Sequence, residues 1–289
     1  MAPVGIVTGA NRVPGIGNEI ARGLAQRMPE GTTVIITARV EAMGQEAAAE
    51  LKSEGLNVVF HQCDIADAGS VEAFRTFVEA SYGGIDVLVN NAGLAFPLND
   101  STPFPEQARK TVDVNYYGTK RMIEAFRPMM RPGARIVGVS STAGQLGRSW
   151  SGDLRRRMLA PELDIAGLDA VAEEFVAAAA QGQHKEKGFP GTAYGTSKAL
   201  MTHLHRVLAR EMPSPPALVA SICPGLCRTY MATGRGTFMS TILWLASFFV
   251  GQSAAGGADT PVWLCTEVTE ADRPRYHGLF LRGRSVCAF

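Results

Sequence analysis

The chain has 289 residues, of which 46% are hydrophobic and 19% charged. That much apolar surface excludes disorder over most of its length. Its 28 basic residues nearly cancel its 27 acidic ones, leaving a formal charge of +1. Such a balance gives no electrostatic footprint for nucleic acid and no polybasic membrane patch.

No apolar run reaches the roughly 18 to 20 residues that span a bilayer. The longest, Phe238 to Val250, has 13 positions and is interrupted by Ser240, Thr241 and Ser247. The amino-terminal residues run into a strand pattern with no basic region or cleavage site, so no secretory signal is expected. Five cysteines without a Cys-x-x-Cys pair are expected to be reduced thiols in a cytoplasmic protein. His203 and His205 stand two apart on a predicted helix, face different ways and suggest no metal site.

In chain order, short apolar runs predict strands at Val4–Thr8, Thr33–Thr37, Asn57–Gln62, Asp86–Asn90, Arg135–Ser140 and Leu218–Cys223. Helical patterns lie between them at Asn18–Met28, Glu41–Ser53, Ser70–Tyr82 and Pro105–Met130, with N-cap candidates from Asp67 to Ser70. This alternation predicts an α/β fold: one doubly wound, Rossmann-type domain over residues 1–289, with a parallel sheet and helices on both faces. Two segments interrupt the rhythm. One is an insert at about 145–191, with the cluster Arg155, Arg156 and Arg157 and an Ala-rich helix at Gly167–Ala180. The other is a loop at about 226–257. Loops of this kind, at the carboxyl ends of strands, build substrate pockets.

Five motifs carry chemistry. Thr8-Gly9-Ala10-Asn11-Arg12-Val13-Pro14-Gly15-Ile16-Gly17 joins the first strand to the first helix. Glycines there let backbone amides approach a pyrophosphate at a helix N-terminus. The second strand ends in Arg39, where dinucleotide enzymes selective for the 2′-hydroxyl place an acid. With Arg12, it suits a 2′-phosphate through charge-assisted bonds. The plainer reading is a solvated residue at a helix start, and Glu41 stands nearby. Asn90-Asn91-Ala92-Gly93 closes the fourth strand, Ser140-Ser141 closes the fifth, and Tyr194-Gly195-Thr196-Ser197-Lys198 opens a helix. Positions four apart share a helix face, which sets an ammonium beside a phenol.

Together and in this order, the glycine loop, NNAG, the serine and YxxxK resemble the short-chain dehydrogenase/reductase family over nearly the whole chain. Within it, the stretches GLNVVFHQCDIAD, YGGIDVLVNNAGLAF, VNYYGT and CPGLCRT are most similar to the monomeric NADPH-dependent carbonyl reductases. One departure is plain. Five residues separate Gly9 from Gly15 where the family has three, and Val13 and Pro14 are the extra pair.

The resemblance implies reduction of a small-molecule carbonyl (ketone, aldehyde or quinone) with NADPH. Tyr194 is then the general acid, and Lys198 is expected to lower its pKa. Ser141 orients the carbonyl oxygen, and Asn115 holds a water in a proton relay. Implied cofactor contacts are Gly9, Asn11, Arg12, Gly15, Ile16, Gly17, Arg39, Asp64, Ile65, Asn91, Ala92, Gly93, Tyr194, Lys198, Pro224, Gly225 and Thr229. Cys223 either faces the pocket, where it would touch a thiol-linked substrate, or is a buried apolar thiol. The insert helix is expected to cover the face through which relatives dimerise, leaving a monomer. Two alternatives stand: a narrow reductase for a terpenoid, alkaloid or steroid-like ketone, with Phe238–Val250 as lid or membrane contact, and a silent NADP sensor. The intact Ser141, Tyr194 and Lys198 speak against the sensor.

Overall fold

The computed structural model describes residues 2–97, 100–212, 217–227 and 251–289. The first half runs β1 (Val4–Val7), α1 (Ile16–Arg27), β2 (Thr33–Ala38), α2 (Glu41–Ser53), β3 (Val58–Gln62), α3 (Ala68–Tyr82) and β4 (Ile85–Asn90). Next come α4 (Phe104–Val112), α5 (Thr119–Phe126), β5 (Met130–Val139), α6 (Gly152–Leu159), α7 (Ile165–Ala180) and α8 (Ala193–Glu211). The chain closes with β6 (Leu218–Cys223), α9 (Ala254–Thr266), α10 (Arg273–Tyr276), β7 (Phe280–Arg282) and β8 (Ser285–Cys287).

Among the described residues, eight strands join one sheet in the order β3-β2-β1-β4-β5-β6-β7-β8. The order reverses between β1 and β4, which opens a crevice at their carboxyl ends. Each face of the sheet has its own apolar layer. Ile6, Ile35, Leu88 and Ile136 point to one, and Val7, Ile36, Val89 and Val137 to the other. Burial on both faces explains why these strands are continuous apolar runs.

The predicted strands are all present, with two corrections. β5 begins at Met130, not Arg135, because a register slip between Ile85 and Val87 lets Met130 pair with Ile85 before the ladder resumes at Arg135. The sheet is also not wholly parallel. Gly283 and Arg284 both have positive φ, +56° and +61°, and turn β8 back antiparallel on β7, as a two-residue hairpin requires. The segment expected as one long helix is α4, a π-helical turn at Asp113–Gly118, α5 and a 3₁₀ turn at Arg127–Met129.

The insert helix α7 starts at Ile165, two positions before the expected start at Gly167, because the Asp164 side chain accepts from the Gly167 backbone N–H. Its Leu168, Val171 and Phe175 are buried together with Ala108 and Val112 of α4 and Leu200, Leu204 and Leu208 of α8. Tyr116 and Lys120 both bond Asp169 from below, and Arg109 grips Glu173.

Candidate active site

The crevice between β1 and β4 holds a cavity of about 300 Å³, lined at one end by Gly9, Asn11, Arg12, Gly15, Ile16, Gly17 and Arg39 and at the other by Gly93, Leu94 and Val114. Asp64, Ile65, Asn91 and Ala92 form its floor and wall. Two glycines make this shape possible. Gly9 has φ +65°, and a Cβ there would lie 2.8 Å from the Ala92 Cα. A Cβ on Gly17 would run into the Asn91 amide and stand 2.9 Å from the Gly9 carbonyl. The helix behind the loop, α1, is N-capped by Gly15, which has no side chain to cap it, so the cap offers its first-turn N–H groups no side-chain acceptor. Arg12 and Arg39 are exposed at the rim. These features fit the phosphates of a dinucleotide, and a cation at the end of β2 fits a 2′-phosphate.

Asn91 does more here than line the cavity. Its side-chain amide donates to the carbonyls of Thr8 (2.8 Å) and Gly9 (3.1 Å). The Thr8 hydroxyl in turn accepts from the Asn91 and Ala92 N–H groups. The two strand ends are thereby locked into one floor. In the extended glycine loop, Val13 is half exposed (49%), the Val13–Pro14 peptide is cis, and Asn11 reaches the Met43 thioether on α2 at 3.7 Å.

Beyond Gly93 lie the residues singled out for chemistry. A Cβ on Gly93 would be 3.2 Å from Asn115 Oδ1 and 3.5 Å from Lys198 Nζ. Asn115 is fully buried in the π-helical turn. Its amide donates to the Leu94 carbonyl and the Ser197 hydroxyl, both at 2.9 Å, and its oxygen accepts from the Leu94 N–H at 2.6 Å. It therefore ties the loop after β4 to α8.

Ser141 caps the 3₁₀ turn at Thr142–Gly144. That turn sits tightly on α8. A Cβ on Gly144 would lie 2.5 Å from the Ala199 nitrogen, and one on Gly195 would lie 2.7 Å from the Ala143 carbonyl. The close fit brings Ser141 to Tyr194. Lys198 lies one helical turn on, its ammonium 5.8 Å from the Tyr194 ring centre.

The electrostatics differ from expectation in one respect. Burial pushes the Tyr194 phenol up to about 12, and its hydrogen bond with Ser141 only partly opposes that. The same burial brings Lys198 down to about 8. The lysine was expected to make the phenol more acidic, but its own desolvated ammonium donates to the Val139 carbonyl at 2.7 Å. Desolvation of the phenol outweighs it.

Cys223, at the end of β6, is buried, with its thiol 3.7 Å from the Thr142 hydroxyl and accepting from the Gly225 N–H at 3.3 Å. A Cβ on Gly257 of α9 would be 3.4 Å from Pro224 and 3.5 Å from Ile16, so this helix start packs closely on both. Thr229 and Phe238–Val250 lie outside the described residues. Sequence reasoning missed the π-turn under Asn115 and the glycine pair that seats the serine turn. A glycine right after Ser141-Thr142-Ala143 was the available signal for the second; the first left none.

Comparison with known proteins bears on family and fold. The family described as short chain dehydrogenase matches residues 3–152. Mouse (Mus musculus) carbonyl reductase (NADPH) 1 is 36% identical over 98% of this chain and 97% of its own length. The rabbit (Oryctolagus cuniculus) protein of the same name is 38% identical over the same shares. Among solved structures, salutaridine reductase from Papaver somniferum superposes with a TM-score of 0.79 at 28% identity, covering 96% of this chain and 99% of its own. Menthone neomenthol reductase from Mentha piperita gives 0.77 at 28% identity, over 98% and 99%.

Proposed function

Since the chain belongs to the short-chain dehydrogenase family, with carbonyl reductases among its relatives over nearly its full length, we propose that it is an NADPH-dependent carbonyl reductase. One observation carries the reading. A cavity with two arginines at its far rim ends, at Gly93, against the buried Asn115 and Lys198, the latter one helical turn from Tyr194.

NADPH, when bound, supplies the hydride that reduces the carbonyl carbon. Gly15, Gly17 and the open first turn of α1 hold its pyrophosphate, and Arg39 with Arg12 holds the 2′-phosphate. Asp64 and Ile65 border the adenine, and Lys198 holds the nicotinamide ribose. Ser141 orients the carbonyl oxygen by donating to it. Tyr194 gives that oxygen its proton as negative charge builds there. A neutral phenol is the form needed, and burial keeps Tyr194 protonated at every physiological pH. The Lys198 ammonium favours the phenolate left behind. Asn115 positions the loop and helix that carry these groups.

Steady-state NADPH oxidation with simple aldehydes, quinones and bulky cyclic ketones tests the proposal. Turnover with several small carbonyls, preferred with NADPH over NADH, is expected. Binding of NADPH without any turnover across the panel would leave a sensor. A narrower reading has its own support in the likeness to reductases named for salutaridine and for menthone. Turnover confined to bulky cyclic ketones would select it.

A further inference from the structure

The Lys198 ammonium has a neighbour that the proposed mechanism does not use. Three residues along α8, one turn on the same face, the Met201 thioether sulfur lies 3.5 Å from Lys198 Nζ. Met201 has no exposed surface, and Lys198 is only 4% exposed. An ammonium carries three N–H donors and cannot leave them unsatisfied away from water. One goes to the Val139 carbonyl at 2.7 Å, and one to the Met201 sulfur. A Cβ on Gly93, which lines the cavity, would be 3.5 Å from the same nitrogen.

We propose that Met201 is a positioning residue: its sulfur and the Val139 carbonyl hold the Lys198 ammonium from behind and leave one N–H for the cofactor ribose. The inference rests on the carbonyl-reductase reading and adds to it a residue that sets how long the lysine stays charged. A thioether is a weak acceptor but a polarizable one, suited to a cation that burial has already brought down to about 8. Among the described residues, the titratable groups facing this lysine are few. Tyr194 is on its own helix, the Cys223 sulfur on β6 favours its charged form, and His205, two turns further along α8, is neutral because burial brings it to about 4. None of them is a carboxylate that would swamp a weak acceptor.

The test is the pH dependence of NADPH affinity, read by fluorescence quenching without carbonyl substrate, beside the pH dependence of kcat. In the wild type, affinity should fall as pH rises through about 8 and the lysine loses its charge. Met201→Leu conserves volume and removes the acceptor. The high-pH fall in both profiles should then move down by about half a pH unit. Met201→Gln puts an amide oxygen, a stronger acceptor, at the same reach and should move the fall upward. Profiles of either folded variant that coincide with the wild type, or that both move the same way, would overturn the proposal and leave Met201 a packing residue. A wild type with no NADPH-dependent carbonyl turnover would instead defeat the underlying function, and the binding profiles would still report on the lysine.

Discussion

The two ends of the crevice are built by opposite means. At the β1–β2 end the work is done by backbone and by exposed charge: glycines with no room for a Cβ, an uncapped helix start, and Arg12 and Arg39 at the rim. Around α8 it is done by buried polar side chains, whose properties come from the removal of water. Tyr194 is pushed up to about 12 and Lys198 down to about 8 by the same desolvation. On the proposed function, the cradle of shape and charge would select the dinucleotide, and the desolvated phenol–ammonium pair would handle the proton.

This contrast separates binding from turnover, and substitutions in the two regions should fail differently. Tyr194→Phe deletes one hydroxyl from the buried end. It should lower kcat by roughly 10²- to 10⁴-fold, the usual contribution of a general acid, while the Kd for NADPH, by fluorescence titration, stays close to wild type. Arg39→Asp alters the exposed end. The ratio of kcat/KM with NADPH to that with NADH should drop by about 10- to 100-fold, the worth of a charge-assisted bond, with kcat at saturating NADH largely kept. Gly144→Ala tests how Ser141 is seated. Its Cβ would lie 2.5 Å from the Ala199 nitrogen and 2.6 Å from the Lys198 carbonyl carbon. Lifting the serine turn off α8 should cost about tenfold in kcat and leave NADPH affinity unchanged.

A separate expectation, on folding rather than turnover, concerns acid stability. His203 and His205 on α8 are buried, and desolvation brings them to about 3 and about 4, from an ordinary value of 6.5. The unfolded chain therefore binds more protons than the folded one below 6.5. Stability should fall as pH drops from about 6.5 towards 4, by about 1.4 kcal/mol per unit for each histidine. Thermal unfolding across that range checks it, and a Tm that does not decline would show that the α8 core admits charge.

The exposed end was the more legible in the sequence. A glycine loop between a strand and a helix, and an arginine closing the second strand, depend on local order that a linear reading preserves. Tyr194 and Lys198 were legible too, because a four-residue spacing fixes a helix face. Their ionisation was not. The spacing tells that an ammonium is near a phenol, but the burial that reverses the expected shift comes from β5, β6 and the serine turn, which are remote in sequence. The π-turn at Asp113–Gly118 was hidden because one extra residue per turn hardly changes an apolar pattern. The β7–β8 hairpin was hidden because three residues per strand show no period. The insert helix was found from its Ala-rich run, and it packs over α4 and α8; that this covering leaves a monomer is a proposal. Light scattering of the purified protein should give one chain's mass, and a dimer broken by polar substitutions on α8 would refute that proposal.

A crystal structure of the complex with NADP⁺ tests most directly whether both ends of the crevice serve one ligand. The account predicts a single extended dinucleotide, its 2′-phosphate on Arg39 and its nicotinamide ribose on Lys198, with the Tyr194 hydroxyl and Ser141 left facing the nicotinamide. A dinucleotide whose nicotinamide lies away from Tyr194, or whose 2′-phosphate touches neither Arg12 nor Arg39, would contradict it.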